Sequence, residues 1–475
     1  MPVWVYDSLR LEEDLMETIQ GIVDFFLGLG ASVFLPIVIL ILALAFGAKP
    51  GRAIRAGLMV GVGFVGIGIV LDVLFGNLGP AAEAMVERFG IELSIIDVGW
   101  PAAAAIAFGS EIAALIIPAG ILLNLVLLFA KVTRTINIDI WNFWHFAFVG
   151  AIVQVVTGSI WLGLISAMLF AAFILFLADW TAPATQKLMG MQGISLPHGF
   201  STAFVVPAAI VNRVIDYIPG LNRIEADPEA VRKRFGVVGE PVLQGFIIGS
   251  VIALLAYAGD GSLVEWMTQV LQVGVALAAV MVLMPRMVAL LMEGLIPLSE
   301  AAREFLQKKA GSRELYIGLD SAIAIGHPTS IATSLLMVPI TLLLAIILPG
   351  NRVLPFGDLA TIPFMVCMMI PIVKGNVVRA TITATVVMIP TLYIMNAMAG
   401  VHTEVARLSG FSFPEGATTI TSMVDGGNWL AAMFTWAAGN FWLGHGLILV
   451  ALVVLWVLFK KNTAAWHKLG GYTED

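Results

Sequence analysis

Apolar runs long enough to cross a lipid bilayer recur along the whole chain. They fall at about 30–47, 56–76, 100–130, 143–157, 160–178, 240–259, 263–285, 318–348, 359–373, 377–398 and 438–459. A helix needs about 20 apolar residues to span a hydrocarbon core of roughly 30 Å, and each backbone polar group inside it must be paired. Eleven such runs in 475 residues point to an all-α polytopic membrane protein. Charge agrees: 12% of the residues are charged, half the roughly 25% of a soluble domain. The net charge of −7 says little, because orientation follows the placement of Lys and Arg.

Two stretches between these runs, 192–218 and 402–434, lack the uninterrupted apolar length of a spanning helix. Each reads as a re-entrant hairpin whose backbone is covered by protein or lines a wet cavity. The first contains Gly193-Ile-Ser-Leu-Pro-His-Gly-Phe-Ser-Thr202, which returns as Gly410-Phe-Ser-Phe-Pro-Glu-Gly-Ala-Thr-Thr419 with both Gly and the Pro displaced by 217 positions. His198 thereby meets Glu415. The repetition extends further: 78–89 resembles 296–305, Asp97 and Asp320 each stand where an apolar helix opens, and Asp139 and Asp358 each precede a span. Each half then holds five spans and one hairpin. An odd number of crossings inverts the second copy, so the spacing predicts a 5+5 inverted repeat, with the span 438–459 outside it and the substrate near mid-bilayer between the halves.

The basic loops fix an orientation. Clusters at Lys49–Arg55, Lys131–Arg134, Arg213–Arg234, Arg303–Arg313 and Lys460–Lys461 share one side if spans alternate. This puts the N-terminus outside and the C-terminus in the cytoplasm. The acidic start, Leu11-Glu-Glu-Asp-Leu-Met-Glu17, is unlike a signal peptide. Polar side chains within spans are unevenly shared. Segments 20–91 and 239–306 are aliphatic and Gly-rich, reading as a scaffold whose glycines, Gly66 among them, allow close helix packing. Segments 92–238 and 307–434 carry nearly all the buried polar groups and read as a transport core, leaving 435–475 as the last helix and tail.

Ionisable residues within a bilayer cost about 2.5–3.5 kcal/mol even on lenient scales, so each requires a reason. Ser110 and Glu111 interrupt the third run. His145 stands beside Trp144 in the fourth. Asp320 and His327 are seven apart in the eighth, two turns along one helix face. His198 and Glu415 occupy the hairpin tips, each between Pro and Gly. These seven are the candidate substrate ligands. His445 reads as structural, and Asp72 and Arg379 either snorkel or pair. The single cysteine, Cys367, allows no internal disulfide and no thiolate metal cluster. No metal, cofactor, nucleotide-binding loop or nucleic-acid partner is expected. The charged segment 223–235 is a solvated loop helix or a docking surface for a cytoplasmic protein.

Taken in order, Asp97-Val-Gly-Trp-Pro101, Asp139-Ile-Trp-Asn142, Trp144-His145, Pro197-His-Gly199, Gly318-Leu-Asp320, Gly326-His327 and Leu354-Pro-Phe-Gly-Asp-Leu-Ala-Thr361 resemble the galactitol-specific enzyme IIC components of the bacterial phosphoenolpyruvate-dependent sugar phosphotransferase system. The likeness runs from about residue 25 to residue 430. It implies a homodimer in the lipid membrane, a scaffold, and a mobile core with two hairpins moving in an elevator-like way. It places His198 and Asp320 beside the sugar, with Ser110, Glu111 and His145 nearby. The sugar is phosphorylated by a phosphocysteine on a separate IIB protein, itself supplied by IIA, so no residue of this chain is expected to be phosphorylated. Asp320 or His198 is the candidate base or acceptor-positioning group. Glu111 and the Pro414-Glu-Gly416 tip depart from the family pattern. The competing reading is an ion-coupled secondary transporter of a small polar solute, and the shortage of intramembrane Arg or Lys weighs against an anionic one.

Overall fold

Proline and glycine divide the apolar runs into helices. A computed structural model describes residues 31–89, 94–137, 139–220, 224, 240–259, 261–310, 315–413 and 417–473. α1 (Ala31–Ala45) and α2 (Pro50–Phe89) open the first half. Pro50 heads α2, where its missing N–H leaves no hydrogen bond unmade. β1 (Ile95–Asp97) leads into α3 (Gly99–Phe108) and α4 (Glu111–Phe129), then β2 (Thr135–Asn137) into α5 (Phe143–Thr157) and α6 (Ile160–Met189). β3 (Ile194–Ser195) and a 3-10 turn precede α7 (Val205–Asp216). The second half runs α8 (Pro241–Ala256), α9 (Leu263–Ala310), β4 (Tyr316–Gly318), α10 (Ala322–Ile325) and α11 (Pro328–Ile347). It continues with β5 (Val353–Leu354), α12 (Ile362–Cys367), α13 (Met369–Ile372), α14 (Val377–Leu408), β6 (Ile420–Thr421) and α15 (Trp429–Ala438). α16 (Phe441–Lys461) and α17 (Thr463–Leu469) close the chain.

Among the described residues, eight helical segments are long and apolar enough to cross a membrane: 50–70, 111–129, 140–157, 160–189, 263–283, 328–347, 377–408 and 441–461. Shorter apolar helices lie at 36–45, 99–108, 245–256 and 429–438. Three runs expected as single spans are broken, among them 359–373, which divides at Met368 into α12 and α13. The run 100–130 divides at Gly109-Ser110, where Ser110 leaves helical geometry and its hydroxyl donates to the Ala107 carbonyl at 2.6 Å. The run 318–348 divides at Gly326-His327, because Pro328 pushes its predecessor into extended backbone. Residues 402–408, expected in the second hairpin, instead complete the long helix α14.

α2 and α9, of 40 and 48 residues, reach roughly 60 and 70 Å, about twice the hydrocarbon thickness. They lie against each other with glycine at the contact. A Cβ on Gly294 would come 2.8 Å from the Ala56 carbonyl oxygen, and one on Gly66 would strike Met287. α8 meets α9 in the same manner, since a Cβ on Gly249 would lie 2.6 Å from the Val273 carbonyl. The close packing expected of Gly66 is therefore present.

Two short parallel sheets tie the remaining helices together. In one the order is β5-β1-β6, and in the other β2-β4-β3. Each central strand comes from one half of the chain and both its neighbours from the other. The strand edges are held by side chains as well. Asp179 of α6 accepts from the Arg134 amide at 2.9 Å, while Asn396 of α14, 217 positions later, accepts from the Arg352 amide at 2.8 Å. Asp179 also takes the hydroxyls of Thr133 and Thr135 at 2.7 and 2.8 Å. Arg379, an open case in sequence, is settled as a partly buried pair: its guanidinium donates to Asp216 at 2.8 Å and to Asn212 at 2.9 Å. Asp72 is exposed on α2.

Candidate functional site

Strand ends and broken helices leave backbone groups without a helical partner, and carboxylates collect there. Beyond β1, Asp97 accepts from the amides of Gly99 at 3.1 Å and Asp358 at 2.9 Å, and Asp358 in turn accepts from the Trp100 amide at 2.7 Å and the Ser422 hydroxyl at 2.6 Å. Beyond β2 and β4, Asp139 accepts from the amides of Trp141 and Asp320, each at 3.1 Å, and Asp320 Oδ1 accepts from the Ala322 amide at 2.6 Å. Asp97, Asp139 and Asp358 thus stitch the two halves through their backbones. Asp320 differs in keeping Oδ2 for the cavity beside it.

That cavity is small, about 40 Å³, and is lined by His145, His198, Asp320, Thr361, Val424 and a wall of Trp100, Trp141, Trp144, Phe200 and Phe364. His198 stands on the turn after β3, with its ring stacked on Phe364 at a centroid distance of 5.7 Å. Gly199 sets its position, since a Cβ there would come 2.8 Å from His145 Cγ. The Pro197-His-Gly199 pattern therefore has a packing reason: only glycine lets the turn close onto α5.

A directional hydrogen-bond chain runs through the two imidazoles. The Ser201 amide donates to His198 Nδ1 at 3.1 Å, so in a neutral ring the proton lies on Nε2. His198 Nε2 faces His145 Nε2 at 3.3 Å, which leaves His145 protonated on Nδ1. That nitrogen donates to Asp425 Oδ2 at 2.7 Å. Asp320 Oδ2 lies 3.7 Å from His198 Nε2. Each of the four side chains is at least nine-tenths buried. Asp425 holds left-handed backbone at φ +64°, a region that Asp tolerates better than most residues. It is braced by Asn428, whose amide reaches both Asp425 Oδ1 at 3.3 Å and the Gly199 carbonyl at 3.1 Å.

Of the seven residues expected from sequence, His145, His198 and Asp320 meet at this cavity. The others stand elsewhere. Glu111 accepts from Gln154 at 2.6 Å across α4 and α5, and Ser110 turns to its own helix. His327 caps α11, accepting from the Thr329 amide at 3.3 Å. The helix break between Asp320 and His327 removes the shared face expected from their spacing. Glu415 lies outside the described residues. His445 is structural, bonded to Ser166 at 2.5 Å and to the Phe441 carbonyl at 2.6 Å. Asp425 escaped the sequence reading, although Asp425-Gly-Gly-Asn428 is itself a polar break with paired glycines. Among the described residues no group of His, Cys, Asp and Glu is arranged to hold a metal.

A family model described as "PTS system sugar-specific permease component", EIIC-GAT, matches residues 25–416. The chain belongs to the EIIC-GAT family. It is 39% identical over 458 residues to the "PTS system galactitol-specific EIIC component" of Escherichia coli (strain K12), covering 96% of this chain and 98% of that protein. The component of the same name from Escherichia coli O157:H7 matches equally, at 39% over 458 residues. An EIIC-GAT permease with these apolar helices is a multi-pass inner-membrane protein.

Proposed function

We propose that this EIIC-GAT permease binds galactitol or a closely similar hexitol in the cavity between His145, His198 and Asp320. The sugar is then phosphorylated from the cytoplasm by the phosphocysteine of a IIB partner. The observation that carries the reading is the convergence of three buried titratable side chains from both halves on one small cavity, with Asp425 held behind His145. A polyol offers only hydroxyls, so its site should be built from groups that donate and accept hydrogen bonds along aromatic walls. The indole N–H of Trp144, on the cavity wall, is buried with no partner among the described residues. A buried polar group left unpaired costs about 1–3 kcal/mol, and groups so placed suit a hydroxylated ligand that comes and goes.

Transfer of the phosphoryl group to a sugar hydroxyl requires that the hydroxyl be aimed and relieved of its proton. Asp320 Oδ2 is the acceptor placed for this, and His198 Nε2–H, released from His145 Nε2 as the turn parts from α5, holds a neighbouring oxygen. Ligand sites are typically several hundred Å³, so the roughly 40 Å³ cavity opens by separation of the His198 turn from α5 and α12. We read the two strand-exchanged sheets and the paired roles of Asp179 and Asn396 as an inverted repeat. Its core, about 92–238 and 307–434, travels against the α2 and α9 scaffold in a homodimer. The final helix leaves the C-terminus in the cytoplasm.

Uptake of labelled galactitol into vesicles tests this. With phosphoenolpyruvate and the IIA and IIB partners inside, the label should accumulate as a phosphate ester, and without them it should not accumulate. Accumulation of free polyol on an imposed ion gradient would instead establish an ion-coupled transporter.

A further inference from the structure

A second cavity, of about 390 Å³, lies on the far side of α6 and is unrelated to the polar site. Its walls are Leu123 and Leu127 of α4, Ile165 to Phe176 of α6, and Leu449 to Phe459 of α16. The α16 wall opens outward, with Leu449 and Val453 about half exposed (49% and 51%). The run from Leu449 to Phe459 measures about 15 Å along the helix, half of the roughly 30 Å hydrocarbon core. The slot is therefore one leaflet deep.

Only one end of this slot is charged. There Thr133 and Asp179 form its floor and satisfy each other at 2.7 Å. Trp456 at the same end donates to the Val132 carbonyl at 3.0 Å and lies under the Lys460 ammonium at 5.9 Å. Lys131, next to Val132, and Lys461, next to Lys460, are both exposed. A tryptophan flanked by lysines marks the depth of the headgroups. We propose that this slot is a binding site for an anionic phospholipid, with one acyl chain between α16 and α6 and its phosphate on Lys131, Lys460 and Lys461. A helix from a second copy would meet a continuous apolar face instead of a slot with cations at one lip. The bound chain would fasten α16 to the core without touching the sugar site, so the inference stands apart from the choice of substrate.

Native mass spectrometry of the full chain, given phosphatidylglycerol and phosphatidylcholine with identical acyl chains, tests it. Wild-type protein should retain phosphatidylglycerol at least about fivefold over phosphatidylcholine, about what one lysine–headgroup contact supplies. Replacing Lys131, Lys460 and Lys461 by Ala should bring the two lipids to parity. Ala172→Phe, which fills the slot, should reduce retention of both. Equal retention by wild type, a preference that survives the lysine changes, or lost dimers with unchanged lipid in Ala172→Phe would overturn the proposal. The lysine variant alters only exposed side chains, so it decides the matter even if Ala172→Phe does not fold.

Discussion

Asp425 Oδ2 receives the Nδ1 proton of His145 at 2.7 Å, across 280 residues of sequence. The contact is made by a turn in the second half of the chain on a helix in the first. It fixes which nitrogen of His145 is free to face His198.

Asp425→Asn should therefore slow phosphorylation-coupled galactitol uptake by roughly 10–100-fold, the usual effect of losing a residue that orients a functional histidine. Asn tolerates the left-handed backbone equally well, so the variant should elute and melt like wild type. An unchanged uptake rate in a folded variant would remove Asp425 from the mechanism.

Gly199→Ala drives a methyl group into the His145 ring, whose Cγ lies 2.8 Å from the added carbon. Overpacking of this kind costs about 1–3 kcal/mol. A lowered melting temperature together with lost galactitol binding is expected, and a calorimetric titration would read the latter. Binding at wild-type affinity would show that the turn does not need its present closeness to α5.

His198→Ala and Asp320→Asn remove the two groups facing the cavity most directly. Each should weaken galactitol binding by at least tenfold, the equivalent of about 1.4 kcal/mol. Assembly state and expression should stay unchanged. Either variant binding normally would take that residue out of the site.

Asp179→Ala should act on stability. It removes the acceptor of the Thr133 hydroxyl and of the Arg134 amide, while the Thr135 hydroxyl keeps Ser195 at 2.8 Å, a loss of roughly 2 kcal/mol or more when buried donors go unpaired. Asn396→Ala removes the acceptor of the Arg352 amide and should cost less. Thermal melts of the two variants in detergent compare them directly.

Much of this architecture is legible in sequence because a bilayer permits so few solutions. Apolar length located the helices, and the cost of intramembrane charge singled out His145, His198 and Asp320. The breaks at Ser110 and His327 were hidden because helix periodicity continues through them. The one at His327 is set by Pro328, a local signal that the long apolar run masks, and the one at Ser110 by packing such as that of Ser409 against Gly109, which no local pattern reports. Asp425 was hidden by register. The 217-residue spacing holds between Asp179 and Asn396, but β3 begins at 194 and β6 at 420, a spacing of 226. The repeat of Pro197-His-Gly199 at Pro414-Glu-Gly416 drew the expectation to that tip, and the turn that brings Val424 to the cavity and Asp425 to His145 went unmarked. Glu111 illustrates a different limit. Burial cost flagged it correctly, yet Gln154 satisfies it without the cavity.

The exchange of strands between the two sheets also governs the order in which the molecule is made. β1 is flanked by β5 and β6, which leave the ribosome more than 250 residues later, and β2 and β3 must wait for β4. Until then each early strand carries open edges that a hydrocarbon environment does not solvate. The first half can insert its helices as they emerge, but neither sheet can close before the second half arrives. A chain cut between the halves would therefore need both fragments together in one membrane to recover a finished core.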